Sequence, residues 1–152
     1  MNVQRFIQTL KLIHISLFIG LTICSVLAYV QNSSFNADIN TNSTLLYIVP
    51  IVALLGYFGS QVFFKKMLSK VQKSDALQTK LKTYQTACIV KYALLEAPAF
   101  IALFVYHATG NALPLVIAVC LLAYLFVQKP TENKIINSLD LTSDERRALD
   151  GN

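Results

Sequence analysis

Residues 87–107 read ACIVKYALLEAPAFIALFVYH, and this stretch decides the fold. As a helix, Ala87 to His107 rises about 31 Å, enough to cross a hydrocarbon core about 30 Å thick. Unlike the other apolar stretches of the chain, it carries ionisable groups well inside it, Lys91 and Glu96, together with Pro98. Lys91 stands near one boundary, where a long side chain snorkels its ammonium back to the surface. Glu96 lies about 13 Å in, close to the midplane, where an ionised carboxylate costs several kcal/mol. It is therefore expected to be protonated, paired or facing a wet cavity inside the bundle. Lys91 and Glu96 are about 140° apart around the helix, a poor setting for an ion pair, whereas Tyr92 at i−4 is aligned to hydrogen-bond Glu96. Pro98 lacks the N–H that would bond the Leu94 carbonyl, which leaves an acceptor near Glu96 and favours a kink.

On the N-terminal side of this stretch, Lys65, Lys66, Lys70, Lys73, Lys80 and Lys82 are opposed only by Asp75. Short Lys-rich loops stay in the cytoplasm, so this segment orients the protein. Its lysines are candidate contacts for anionic lipid head groups, each worth about 1 kcal/mol. Leu77, Leu81, Tyr84 and Cys88 fall on one helical face, which predicts an amphipathic extension ahead of the third span. Further upstream, Leu45 to Phe64 is a charge-free second span with Pro50 near its start. Gly56 and Ser60 stand four apart, with Gly59 beside them, a spacing that lets helix backbones approach closely; packing within the chain is favoured over a dimer contact. Before it, residues 31–44 form a polar, turn-rich loop without Lys or Arg. The acceptor patterns Asn32-Ser33-Ser34 and Asn42-Ser43-Thr44 arise readily in such a loop and carry no function.

The first span, Leu12 to Val30, follows Arg5 and Lys11. A cleaved signal peptide is the competing reading, because a basic start, an apolar core and Val26-Leu27-Ala28 imitate a cleavage site. Downstream of the central stretch, Gly110-Asn111 makes a tight turn into a short fourth span over residues 112–127. Lys129-Pro130 ends it. Thr131 to Leu141 and Thr142 to Leu149 read as short polar helices, the second opened by a capping box of Thr142 and Glu145. This acidic tail is expected to lie against the lysine-rich loop.

The architecture expected is all-α: a bundle of four transmembrane helices with short cytoplasmic helical extensions. Residues 1–130 form the membrane domain, with spans at about 12–30, 45–64, 87–107 and 112–127, and residues 131–152 form a cytoplasmic tail. Composition agrees, since 152 residues that are 55% hydrophobic and 14% charged lie outside the range of soluble domains. The net charge of +5 collects beside apolar spans rather than over a water-soluble face, which excludes nucleic acid as partner. Cys24, Cys88 and Cys120 are isolated in apolar sequence and read as buried hydrophobes. If the first span enters at Lys11 and the second leaves at Lys65, then His14, Ser16, Ser60 and Gln61 lie at depths near that of Lys91. With Tyr92 they are expected to form one polar cluster with Glu96 at its inner end, either a network that locks helix register or a site for an ion, proton or ligand.

The run Lys91-Tyr92-Ala93-Leu94-Leu95-Glu96-Ala97-Pro98-Ala99, followed by Thr109-Gly110-Asn111 and by Lys129-Pro130-Thr131 with Lys134-Ile135-Ile136, resembles a group of small uncharacterised four-span membrane proteins of Bacteroidetes-type bacteria. The resemblance covers the second half best and implies a fold but no residue roles. Rotary ATPase proteolipids also bury a carboxylate in a hairpin, but their glycine stripe is missing here; small multidrug exporters carry their glutamate in the first span with tryptophan nearby, and this chain has no Trp. There is no Gly-rich phosphate loop, HExxH, CxxC or G-x-S-x-G, so no enzyme activity, cofactor or metal is expected. Two functions stay open. One is a structural or accessory component of the cytoplasmic membrane, contacting the bilayer, anionic lipids and a second copy or another membrane protein. The other is a small oligomeric proton-coupled transporter using Glu96.

Twelve of the thirteen Lys and Arg residues flank the spans on one side, and Lys91 lies near that side, so both termini are expected in the cytoplasm of a multi-pass inner-membrane protein. Single cysteines placed at Ser34 and Asn111 should react with an impermeant thiol reagent added outside, and those at Ser74 and Ser143 only after permeabilisation; outside labelling at Ser74 would overturn the topology.

Overall fold

The structure, a computed structural model, describes residues 3–32, 35–37 and 44–150. These fold into α1 (Val3–Gln31), α2 (Thr44–Leu68), α3 (Leu77–Thr109), α4 (Ala112–Val127), α5 (Glu132–Ser138) and α6 (Ser143–Asp150). The chain is all-helical: among the described residues the sole β feature is an isolated bridge between Asn36 and Asn111. The helices α1, α2 and α3 are each long and apolar enough to cross a membrane, and α4 with α5, bent 84° from it, counts as a fourth candidate only as a broken span.

The long helices alternate in direction. Along α1 and α3, His14 meets Tyr92 and Asn32 meets Tyr106, so these two run parallel. Along α2 and α3, Phe64 meets Tyr84 while Gly56 faces Pro98, so these run antiparallel. The turn at Gly110 sends α4 back alongside α3. The central helix is α3, which packs on α1, α2 and α4. Its buried face carries Leu95, Ala99, Ala102 and Tyr106 with no exposed surface. The outward faces are apolar as well, with Phe104 70% and Leu55 68% exposed, an apolar surface that a water-soluble monomer does not present.

The helix limits follow local chemistry. The extension of α3 begins at Leu77, as the spacing of Leu77, Leu81, Tyr84 and Cys88 requires, and the last three are buried. It ends at Gly110, which takes φ 65°, a left-handed conformation natural to glycine, and donates its N–H to the Tyr106 carbonyl at 2.8 Å. Asn111 then caps α4, its side chain accepting from the Leu113 N–H at 3.0 Å. The bridge to Asn36 fastens residues 35–37 onto this turn. Asn32 uses its amide to donate to the Tyr106 carbonyl at 2.9 Å, while Tyr106 donates back to the Asn32 carbonyl. Ser33, Ser34 and the loop over 38–43, and with them most of both acceptor patterns, lie outside the described residues.

The helix α3 runs as one element through Pro98, and the missing N–H has a consequence in packing. A Cβ added at Gly56 would stand 2.5 Å from the Leu94 carbonyl oxygen and against the Pro98 ring. The carbonyl freed by Pro98 is thus covered by the bare backbone of α2, so the small residue serves packing within the chain. Gly59 meets nothing within 4 Å. Gly56→Ala is expected to destabilise the purified protein by about 1–3 kcal/mol through overpacking, with Gly59→Ala near neutral. Equal thermal unfolding midpoints for the two variants would disprove this account of the α2–α3 contact.

Candidate functional site

The polar groups gather at the lysine-rich end, and the shortness of α4 explains why. Its 16 residues rise about 24 Å, less than a hydrocarbon core. The last four carbonyls of a helix have no partners within it, and an apolar environment makes them costly to leave unmet. The backbone N–H groups of Gln128 and Lys129 meet the carbonyls of Tyr124, Leu125 and Phe126, and side chains from three other helices add contacts at Leu125, Val127 and the residues just beyond. His14 of α1, 2% exposed, has Nε2 2.7 Å from the Leu125 carbonyl oxygen. Lys134 of α5 donates its Nζ to the Val127 carbonyl at 2.8 Å and to that of Lys129 at 3.1 Å. Tyr92 of α3 donates its hydroxyl to the Gln128 carbonyl at 3.3 Å, and Lys91 donates to the Gln128 Oε1 at 2.7 Å. A carbonyl only accepts, so the His14 hydrogen is on Nε2 and its Nδ1 is a buried acceptor without a hydrogen-bond partner among the described residues. The His14 and Tyr92 rings pack edge to face with centroids 5.0 Å apart.

Of the residues expected to cluster, then, the structure unites His14, Lys91 and Tyr92. Ser16, Ser60 and Glu96 lie elsewhere, and Gln61 lines only the outer groove that Lys91 also borders. Ser60, fully buried, turns back to donate to the Tyr57 carbonyl of its own helix at 2.7 Å. Ser16 is exposed. Gln61 donates its amide to the Tyr124 hydroxyl, joining α2 to α4. The expected Tyr92–Glu96 hydrogen bond is not made, because the end of α4 offers Tyr92 a carbonyl instead. Lys91 does not snorkel out to water; only 9% exposed, it stays under Gln128 with its Nζ 4.7 Å from the centre of the Phe64 ring.

Glu96 corrects the sequence reading most. Half-buried, it lies at the edge of the inward face of α3, about 40° further round than Tyr92. It is not the inner end of a polar cluster: no hydrogen bond or ion pair joins it to a described residue. His14, Ser60 and Gln61 bond instead to the Leu125 carbonyl, the Tyr57 carbonyl and the Tyr124 hydroxyl.

A second correction concerns Lys80. Read as a head-group contact, it is fully buried, because the tail folds over it. Its Nζ donates to the Lys73 carbonyl at 2.9 Å, the Asp140 carbonyl at 3.1 Å and the Glu145 Oε2 at 3.0 Å. Lys73 also pairs with Asp140 at 3.7 Å, both exposed. The capping box forms as the sequence requires: the Thr142 N–H donates to Glu145 Oε2 at 2.8 Å, and the Glu145 N–H to the Thr142 hydroxyl at 3.4 Å. Leu139, Leu141 and Leu149 of the tail join the same apolar core as Phe6, Ile7 and Leu81. Lys65, Lys66, Lys70, Lys73 and Lys82 remain exposed.

Sequence reasoning overlooked Gln128, Lys134 and Ser138, which share a cavity of about 100 Å³ with Lys91, Tyr92 and Tyr84. The signal was present in Gln128-Lys129-Pro130, a stop placed too early for a span, which implies carbonyls that something else must satisfy. Among the described residues no group of His, Cys, Asp and Glu could hold a metal ion. The fold and site define an all-helical chain with membrane-length apolar helices and an internally capped polar end. Comparison with protein families, with curated proteins and with solved structures finds no match.

Burial of Glu145 raises its pKa, but the Thr142 amide and the Lys80 ammonium lower it, and the net direction is down from the usual value of 4.5. A lowered pKa contributes stability that is present at neutral pH and lost as pH falls through the folded value. A spin label at Ser143→Cys should therefore be immobile at neutral pH and become mobile below about pH 4.5. Lys80→Ala should release it at pH 7, weakening the closed tail by about 2 kcal/mol, less than for a fully buried pair because Glu145 keeps some contact with water.

Proposed function

We propose that this is a multi-pass protein of the cytoplasmic membrane, with four spans and both termini in the cytoplasm, whose role is structural or accessory to another membrane component. Membership in the Bacteroidetes-type group of four-span proteins belongs to the same reading. What supports it above all is the use to which the buried polar groups are put. His14, Tyr92, Lys91 and Lys134 close the end of α4, Lys80 fastens the tail, and Gln61 ties α2 to α4. Groups committed to holding helices in register are poor candidates for passing a proton or ion.

The transporter reading rests on Glu96, which among the described residues makes no hydrogen bond or ion pair that would relay a proton. Beyond it toward the Gly110 turn the inward face of α3 continues as Ala99, Ala102 and Leu103, with no polar side chain before Tyr106, whose hydroxyl is given to the Asn32 carbonyl. Glu96 at the edge of the buried face suits contact with a second copy or another membrane helix, where a neutral carboxyl donates a hydrogen bond in lipid.

Vesicles holding the purified chain should show no proton flux under an imposed pH gradient, with or without Glu96→Gln, and that variant should keep folding free energy within about 1 kcal/mol. Glu96→Lys, which places a fixed charge in the apolar region, should disrupt folding. Purification from native membranes in mild detergent should yield a complex of fixed stoichiometry that Glu96→Gln weakens. Proton flux abolished by Glu96→Gln would instead establish the transporter.

A further inference from the structure

The lysine-rich end holds more positive charge than the fold neutralises. Lys91 is nine-tenths buried, and it lines the cavity of about 100 Å³ together with Lys134. Among the described residues, carboxylates come within ion-pair distance of Lys73 and Lys80 only, and of neither ammonium here. Lys91 is buried and Lys134 exposed, so the two like charges line one cavity from its inner and outer sides, and an anion between them relieves their repulsion. Each lysine has three donors; Lys91 spends one on Gln128 and Lys134 two on carbonyls, so donors are left for a further acceptor. Ser138 lines the same cavity. This is the donor set of a phosphate site.

The cavity leads into a groove of about 450 Å³ that shares Lys91, Phe64 and Ser138 with it and adds Gln61, Lys65 and Ser69 of α2. Below the Gln61–Tyr124 hydrogen bond, α2 and α4 leave an apolar recess of about 310 Å³ between Leu54 and Tyr57 on one side and Ile117, Cys120 and Tyr124 on the other. From Lys65 to Leu54 the helix rises about 16 Å, close to the depth of one leaflet of a hydrocarbon core about 30 Å thick. A phosphate-sized basic cavity therefore stands one acyl-chain length above an apolar recess on the same seam.

We propose that the α2–α4 seam binds one anionic phospholipid, with its phosphate held by Lys65, Lys91 and Lys134 and an acyl chain lying toward Cys120. Charge complementarity selects the anionic lipid, and the recess selects a lipid over a free anion. This site rests on membrane residence and not on the accessory role: a partner complex isolated without bound anionic lipid leaves that role intact and removes this site.

The full chain in detergent is titrated with phosphatidylglycerol, phosphatidylcholine or inorganic phosphate, and bound lipid is read by native mass spectrometry together with the unfolding midpoint. Phosphatidylglycerol should bind about tenfold or more tightly than phosphatidylcholine and raise the midpoint, as two or more lysine contacts require. Lys65→Gln, an exposed change that leaves the core untouched, should weaken it about fivefold, while Lys66→Gln, with the same loss of charge outside the groove, should not. Cys120→Trp, filling the recess at an exposed position, should also weaken it. Equal effects of Lys65→Gln and Lys66→Gln would reduce the binding to general surface attraction and overturn the proposal. So would indifference to Cys120→Trp, equal binding of the two lipids, or competition by millimolar inorganic phosphate.

Discussion

A helix that stops before the apolar region does must hand its last carbonyls to someone else, and the rest of this structure depends on how that is done. In water the exposed carbonyls of α4 would be met by solvent; in lipid they are not. His14, Tyr92 and Lys134 come from α1, α3 and α5, so the end of α4 draws three other helices together at one level. Between apolar helices in lipid the hydrophobic effect supplies little net attraction, and such directional contacts set the register. The opposite end uses the same device, where Tyr106 and Asn32 exchange hydrogen bonds and Asn36 bridges to the Gly110–Ala112 turn.

Between these polar ends the bundle is held by fit. Pro98 would leave a notch and a bare carbonyl in α3, and Gly56 brings the α2 backbone onto both. Proline and glycine are poor helix formers in water, but here each makes sense of the other: one creates a surface and the other is small enough to cover it. The seam between α2 and α4 is different in kind, bridged by the Gln61–Tyr124 hydrogen bond and the Tyr57–Tyr124 ring contact with an apolar recess beside them. A tight α2–α3 contact next to an open α2–α4 seam is a natural division between scaffold and binding surface.

The tail shows how a single buried cation organises an otherwise soluble segment. Lys80 sits on the inward face of the α3 extension with Leu81 and Tyr84, where an isolated ammonium is costly. Two backbone carbonyls and Glu145 enclose it, and Glu145 is in turn fixed by the capping box it closes. Helix start, ion pair and apolar closure by Leu139, Leu141 and Leu149 thus depend on one another, and a change in any of them is felt by the whole tail.

Much of the architecture was legible because it rests on local rules. Apolar length marked the long helices, Gly110-Asn111 marked the turn, Thr142 and Glu145 marked the last helix, and the period of Leu77, Leu81, Tyr84 and Cys88 marked the extension of α3. Each depends on residues a few positions apart. The site was legible only in part, because depth along a helix does not specify the direction a side chain takes. His14, Lys91, Tyr92, Ser60, Gln61 and Glu96 were placed at compatible depths, yet Ser60 bonds its own backbone, Gln61 reaches Tyr124 and Glu96 stays apart. Lys80 looked like its neighbours in a basic loop until the tail, sixty residues away, closed over it. What the sequence by itself determined was the set of helices and some of their limits, such as the Leu77 start and the Gly110 end of α3, since these follow from hydropathy and backbone chemistry within single segments. What only the tertiary structure decided was which polar groups meet, because that depends on where one helix ends against the side chains of three others.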